Sequence, residues 1–272
     1  ARLDEGRKAI DEAVATLSRL HEQGDQSEPT AIGLALGLST RARIVSSTEA
    51  DSAALPHGAK AVETLQALAR VPNASVALRR AYGDVLTQHG YLQLRNGEPG
   101  SIATLDQARS AYRSIADLAM TDPSAATSYA EATAWLVEAY SRQDRMADAI
   151  RAADEVRAIT GRVLGERPSH MQALRAQALA SSPLSAALRL DGRMAEALEM
   201  NDRARATWRE FVRIDPGNTI AWSNLAVSYF IRSDILLDMG RIADAVANYR
   251  EALAPEREAK PSLMLWSGIA NN

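Results

Sequence analysis

Apolar residues recur every three to four positions through most of this chain. Between 219 and 239 they are Ile220, Trp222, Leu225, Ala226, Tyr229, Phe230, Leu236 and Leu237. Between 241 and 254 they are Ile242, Ala245, Val246, Tyr249, Ala252 and Leu253. That spacing lays a stripe along one face of a helix. No stretch alternates with period two between hairpin signals, so strands are not expected. The pattern predicts a lone helix at 3–22, followed by five helix pairs. These fall at 30–48 and 57–70, 74–95 and 101–120, 124–142 and 145–165, 169–190 and 193–213, and 218–238 and 241–254. Thr48 to Pro56 reads as the linker of the first pair. Pro183 falls inside a predicted helix and is expected to kink or break it. A short helix at 262–269 is expected to cap the end.

The helix pairs repeat. Asp144-Arg-Met-Ala-Asp-Ala-Ile150, Gly192-Arg-Met-Ala-Glu-Ala-Leu198 and Gly240-Arg-Ile-Ala-Asp-Ala-Val246 place Arg145, Arg193 and Arg241 at steps of 48 residues. Pro123, Pro168, Pro216 and Pro261, each in a polar break, follow steps of 45, 48 and 45. Pro72 and Pro29 extend the series backwards. Two markers in phase define units at about 29–71, 72–122, 123–167, 168–215 and 216–261, with 1–28 as a leading helix and 262–272 as a C-terminal cap. A fixed period of this length signals a repeat array, in which each unit buries its apolar face only by stacking on its neighbours. Helix starts are expected from Ser169 with Gln172 as a capping box, and from Asn73 as a cap after Pro72. The last also stands in a glycosylation sequon, Asn73-Ala-Ser75. The Gly-x-x-x-Gly spacings at 33/37 and 161/165 read as close helix crossings.

Composition agrees with helices and removes several chemistries. Aromatics are 5% of the 272 residues and hydrophobic residues 46%, so Ala and Leu must fill the core. The formal charge of −3 excludes a broadly basic, phosphate-tracking surface, and no nucleic-acid partner is expected. With no Cys, thiol catalysis, disulfides and cysteine-based metal centres are out. The four His, at 21, 57, 89 and 170, lie far apart. No zinc-protease, nucleophile-elbow or phosphate-loop motif occurs. Catalytic residues, cofactors and metals are therefore not expected. No apolar run nears the roughly 20 residues that span a bilayer, so membrane insertion is not expected. No signal peptide is legible, and a cytoplasmic location is the expectation, although a chain opening at Ala1 leaves room for a removed leader. The scarcity of Lys among the basic residues fits a bacterial source.

The unit over 218–254 resembles a tetratricopeptide repeat. Trp222, Leu225, Ala226 and Tyr229 match the first helix of that pattern; Gly240, Ile242, Ala245, Tyr249 and Ala252 match the second. Gly192, Met194, Ala197 and Ala204 match more loosely, and 145–165 keeps Met146, Ala149 and Ala153. The aromatic and the Gly stand 11 apart here, seven more than the family's usual four. Seven residues make about two turns, so the buried face is preserved in an elongated repeat. The resemblance implies an all-α, right-handed superhelical solenoid of antiparallel helix pairs, with first helices lining a concave groove. It also implies that Trp222, Tyr229 and Tyr249 are packing residues. Trp208 and Phe211 read as core on spacing.

What the resemblance implies about function is a non-catalytic scaffold or adaptor that binds a protein or peptide segment. The alternative is a regulatory or sensor segment of a larger bacterial signalling protein, a Ser/Thr kinase or transcriptional regulator, whose repeat regions such arrays resemble. Homo-oligomerisation is compatible with either. The groove positions carried over are Ile220, Ser223, Val227, Phe230 and Ile231, with Gln172, Arg175, Leu179, Ser182 and Pro183 earlier by 48. The family's carboxylate grip uses Lys and Asn where Ser223 and Val227 stand. A segment with apolar anchors is therefore expected rather than a free C-terminus. Trp135 and Tyr140 are further candidates to face a groove. Arg79, Arg80, Arg175 and Arg232, on first helices, read as ion-paired or as an anion grip.

Overall fold

The computed structural model describes residues 2–116 and 123–253, and among these every regular element is an α-helix. Eleven helices follow in order: α1 (Arg2–Glu22), α2 (Glu28–Thr48), α3 (Asp51–Ala69), α4 (Val76–Arg95), α5 (Ser101–Ala116), α6 (Pro123–Arg142), α7 (Met146–Glu166), α8 (Met171–Leu190), α9 (Met194–Ile214), α10 (Thr219–Asp238) and α11 (Ile242–Leu253). The expected helix at 262–269 lies outside the described residues. The chain divides into two compact units, 1–139 and 140–272.

In the second unit the 48-residue period is structural. α7 and α9 start and stop 48 residues apart, as do α8 and α10. The repeated Arg-x-Ala-x-Ala segment is the turn that joins the helices of a pair. Asp144, Gly192 and Gly240 adopt φ of 55°, 75° and 72°. Glycine takes this left-handed conformation at no steric cost, and Asp tolerates it. The next residue then donates its backbone N–H across the turn: Arg145 to Tyr140, Arg193 to Leu188 and Arg241 to Leu236, at 2.9, 2.9 and 2.8 Å. These bonds close the helix C-terminus in the Schellman manner. The same Arg reaches forward with its side chain, to Asp148, Glu196 and Asp244 respectively. The second Ala of each segment, Ala149, Ala197 or Ala245, is buried. The motif therefore encodes a turn, an exposed ion pair and a close helix contact together.

α8 packs most densely on α9, and α10 lies against both α9 and α11 while touching α8. Leu174, Ala178, Trp208, Phe211, Val212, Ala221, Leu225 and Tyr229 form the core there. Trp222, expected among the packing residues, is half-buried at the margin of this core, and its indole N–H donates to the Pro216 carbonyl at 3.0 Å. A ring with a polar edge sits best where that edge finds an acceptor. Tyr249 is also half-buried.

In the first unit, α2 pairs with α3 and α4 with α5, and α1 packs on α2. Small residues set the separations. A Cβ on Gly37 would stand 3.0 Å from Val14, and one on Gly33 3.3 Å from Leu17, so the 33/37 spacing is a close crossing as expected. Gly58 lies under His89, Gly83 under Tyr112 and Gly90 under Leu105, each at 2.7 Å from a notional Cβ. The 161/165 spacing is different: a Cβ at either glycine meets nothing within 4 Å. No described helix crosses at that face.

Three local expectations are corrected. α3 begins at Asp51, so the linker shrinks to two residues and Pro56 lies within the helix. The carbonyl that Pro56 leaves without a helical donor belongs to exposed Ser52, where water can satisfy it. α8 likewise runs unbroken through Pro183. The caps also differ. Ser75, not Asn73, caps α4 by accepting from Leu78 N–H at 3.0 Å. His170, not Ser169, caps α8 through Nδ1, in the position where Asn218 caps α10. Any side-chain acceptor on the residue just before the helix can fill this role, so the register decides which does.

Candidate functional site

The residues expected to line a groove all fall on α8 and α10, the first helices of successive pairs. On α8, Gln172 and Arg175 are exposed, and Leu179, Ser182 and Pro183 are half-buried. On α10, Ile220, Ser223, Val227 and Phe230 are exposed and Ile231 is half-buried. Ile220 is 73% exposed, Val227 47% and Phe230 36%. The opposite side of each helix is buried: Ala173, Ala176 and Ala180 on α8; Ala221, Leu225 and Tyr229 on α10. α8 and α10 touch. Arg189 ties them at one end, 2.6 Å from Asp238 and 3.4 Å from Asp234. Phe230 leans on Tyr249 of α11, with ring centroids 6.0 Å apart. Ile220, Val227 and Phe230 make an apolar strip along α10, with exposed Ser223 among them.

Other candidates settle elsewhere. Tyr140 is 8% exposed, under the Arg145 guanidinium at 4.6 Å. It packs a turn and does not face a groove, because the returning chain covers it. Trp135 is half-buried and packs at 4.4 Å on Tyr91. Arg79 donates to the carbonyls of Pro72 and Ala74, fixing the chain ahead of α4. Arg80 donates to Ser124. Arg232 pairs with Asp202 at 2.8 Å.

Sequence reasoning missed a second cluster, between α9 and α11. Tyr229 is 3% exposed, its ring 5.3 Å from the Arg205 guanidinium and 5.4 Å from that of Arg209. Its hydroxyl accepts from Arg209 Nε at 3.2 Å and reaches Glu251 at 3.4 Å. Asn248 donates to the Tyr229 carbonyl and to Ser233, and accepts from Arg205 at 3.0 Å. Burial, followed by the charges of Arg232 and Arg209, lowers the pKa of Arg205 from its ordinary value. This is a filled, structural arrangement. Its only sequence signal was the recurrence of Asp and Arg at 154/157 and 202/205.

Among the described residues, no group of three or more His, Asp or Glu is placed to hold a metal ion. No described helix is long and apolar enough to cross a membrane.

No family model matches the chain, and no curated protein matches it in sequence. Among solved structures, BtubC (BKLC) from P. vanneervenii is similar at a TM-score of 0.62 and 15% identity, over 96% of this chain and 95% of that one. MamA AMB-1 gives 0.36 at 16% identity, over 77% and 88%. Yeast Tom70 gives 0.26 at 13%, over 98% and 58%. The likeness to BtubC shows a shared all-helical fold.

Proposed function

We propose that this chain is a non-catalytic interaction module that binds a protein or peptide segment along the outward face of α8 and α10. One observation carries the reading. Ile220, Val227 and Phe230 present apolar surface on a helix whose opposite side is fully engaged in the core. Apolar anchors rimmed by polar groups are the usual anatomy of a recognition surface. Helices or extended segments with spaced apolar residues fit such strips. Aromatic and Arg side chains are the types that most often dominate binding energy, which singles out Phe230 and Arg175.

The test is affinity capture from the native source with the full chain, compared against Arg175→Glu and Phe230→Ala at matched melting temperature. Both variants should lose a partner that the parent chain retains, Phe230→Ala by about tenfold or more in affinity. Retention of every partner at parental affinity by both variants would place the binding surface elsewhere.

A further inference from the structure

A slot of about 230 Å³ opens between α7 and α9, floored by α8. Its α8 lining, Gln177, Ala180, Ser181, Leu184 and Leu188, lies on the side of that helix opposite Gln172 and Arg175. At 100° per residue the two sets point about 180° apart. This slot is therefore separate from the strip described above.

The 48-residue register explains why it exists. Shifted by one repeat, Asp154, Arg157, Ser181, Leu184, Met200 and Arg203 of the slot become Asp202, Arg205, Tyr229, Arg232, Asn248 and Glu251. All six belong to the cluster between α9 and α11. One repeat later, then, the same space is filled by the Tyr229 ring beneath Arg205. In the slot, Ser181 takes the place of that tyrosine and satisfies its own hydroxyl on the Gln177 carbonyl at 2.9 Å. Gly161 takes the place of Arg209, and a Cβ there would meet nothing within 4 Å. The fold has kept the helices and the Asp–Arg pair at the rim, and left out the ring.

We infer that this slot receives a phenolic ring, the side chain of a tyrosine presented by a protein partner. The floor is apolar: Val156, Ala180, Leu184 and Leu188. An apolar cavity of about 150 Å³ already admits a benzene ring, so the volume suffices. Arg157 keeps the place of Arg205, the residue whose guanidinium lies against the Tyr229 ring, and a cation over a ring face is attractive. At the hydroxyl end, Arg203 stands where Glu251 stands one repeat later, supplying a donor to the phenol oxygen. Arg203 and Arg157 are presently engaged with Glu199 and Asp154 at the slot's rim, so each charge is balanced and a neutral ring is preferred to a free anion.

That the ring comes from a protein rests on the interaction-module reading; that the slot takes a ring does not. The experiment separates them by using p-cresol, the isolated tyrosine side chain, with the full chain. Saturation-transfer NMR and thermal shift should show saturable binding with Kd on the order of 1 mM, as befits eight heavy atoms. Ser181→Tyr, which installs the missing ring, should weaken it at least tenfold without lowering the melting temperature. Leu184→Phe, which narrows the floor, serves as a second variant should the first fold poorly. Leu190→Ala should leave p-cresol binding unchanged, because Leu190 is exposed on the other face of α8. No saturable binding, equal affinity in both slot variants, or equal affinity for 4-methylcyclohexanol would overturn the proposal.

Discussion

Two buried asparagines in the second unit offer a sharp comparison. Asn248 is 2% exposed and fully engaged, donating to the Tyr229 carbonyl at 2.8 Å and to Ser233 at 2.7 Å, and accepting from Arg205 at 3.0 Å. Asn201 is fully buried, yet among the described residues neither its amide nitrogen nor its oxygen finds a partner. Neutral hydrogen bonds contribute about 1 kcal/mol net and those to charged groups about 1.5–3, so Asn248→Ala should cost about 2–4 kcal/mol. Part of that cost is the Arg205 guanidinium, whose side chain is 13% exposed and would lose an acceptor it cannot replace from bulk water. Removing Asn201 relieves an unmet desolvation cost of about 1–3 kcal/mol and opens a small cavity costing a similar amount. Asn201→Ala should therefore change stability by less than about 1 kcal/mol. In urea, with a slope of about 2 kcal/mol per M, the two variants should differ in midpoint by about 1–1.5 M. Circular dichroism and tryptophan fluorescence, from Trp208 and Trp222 in the same unit, should both report it. Equal midpoints, or a larger loss for Asn201→Ala, would refute the reasoning and show that Asn201 is held by internal water.

Further expectations concern Gly83 and Asp51 of the first unit, with Gly161 of the second as the comparison. Gly83→Ala would drive a Cβ to 2.7 Å from the ring of Tyr112, which is 2% exposed and anchored to Asp84 through its hydroxyl. Overpacking costs about 1–3 kcal/mol and the gain in helix propensity returns about 1, so a net loss of about 1–2 is expected on thermal melting. Gly161→Ala, with open space around it, should be neutral or stabilising; similar losses for both would contradict the packing account. Asp51, at the start of α3, accepts from Ser46 and from Arg95 at 2.9 Å, and these bonds, Ser46 first, lower its pKa below the usual 3.8. A lowered carboxylate pKa stabilises the fold above the unfolded value and loses that contribution as pH falls through the folded one. Asp51→Asn should thus melt lower than the parent at pH 7, by about 1 kcal/mol, with the gap closing below about pH 4. A gap that is constant across that range would rule out the charge as its cause.

The sequence by itself determined the helical class, the number of helices among the described residues and the 48-residue period. These rest on short-range physics: apolar spacing within one helix, glycine or aspartate at a positive-φ turn, and an Arg that reaches an acid three residues on. Elements defined by such neighbours are written locally, so α7 to α10 start and end within about two residues of their expected limits. The exposure of Gln172 and Arg175 on α8, and of Ile220, Ser223, Val227 and Phe230 on α10, was legible for the same reason, since a helix face follows from its period. Only the tertiary structure decided which glycines are contacts. Gly33 and Gly37 meet α1, while Gly161 and Gly165 share their spacing and meet nothing, because the difference lies in what another helix brings to that face. It decided that Tyr140 is covered, that Arg232 turns to Asp202, and that Pro56 can lie inside a helix whose released carbonyl faces water. It also decided that Ser181 opens a slot. Ser181 and Tyr229 sit at equivalent places in two repeats, and the space one fills and the other vacates is bounded by side chains from three helices. Volume is a property of that enclosure, and no window along the chain contains all of its walls.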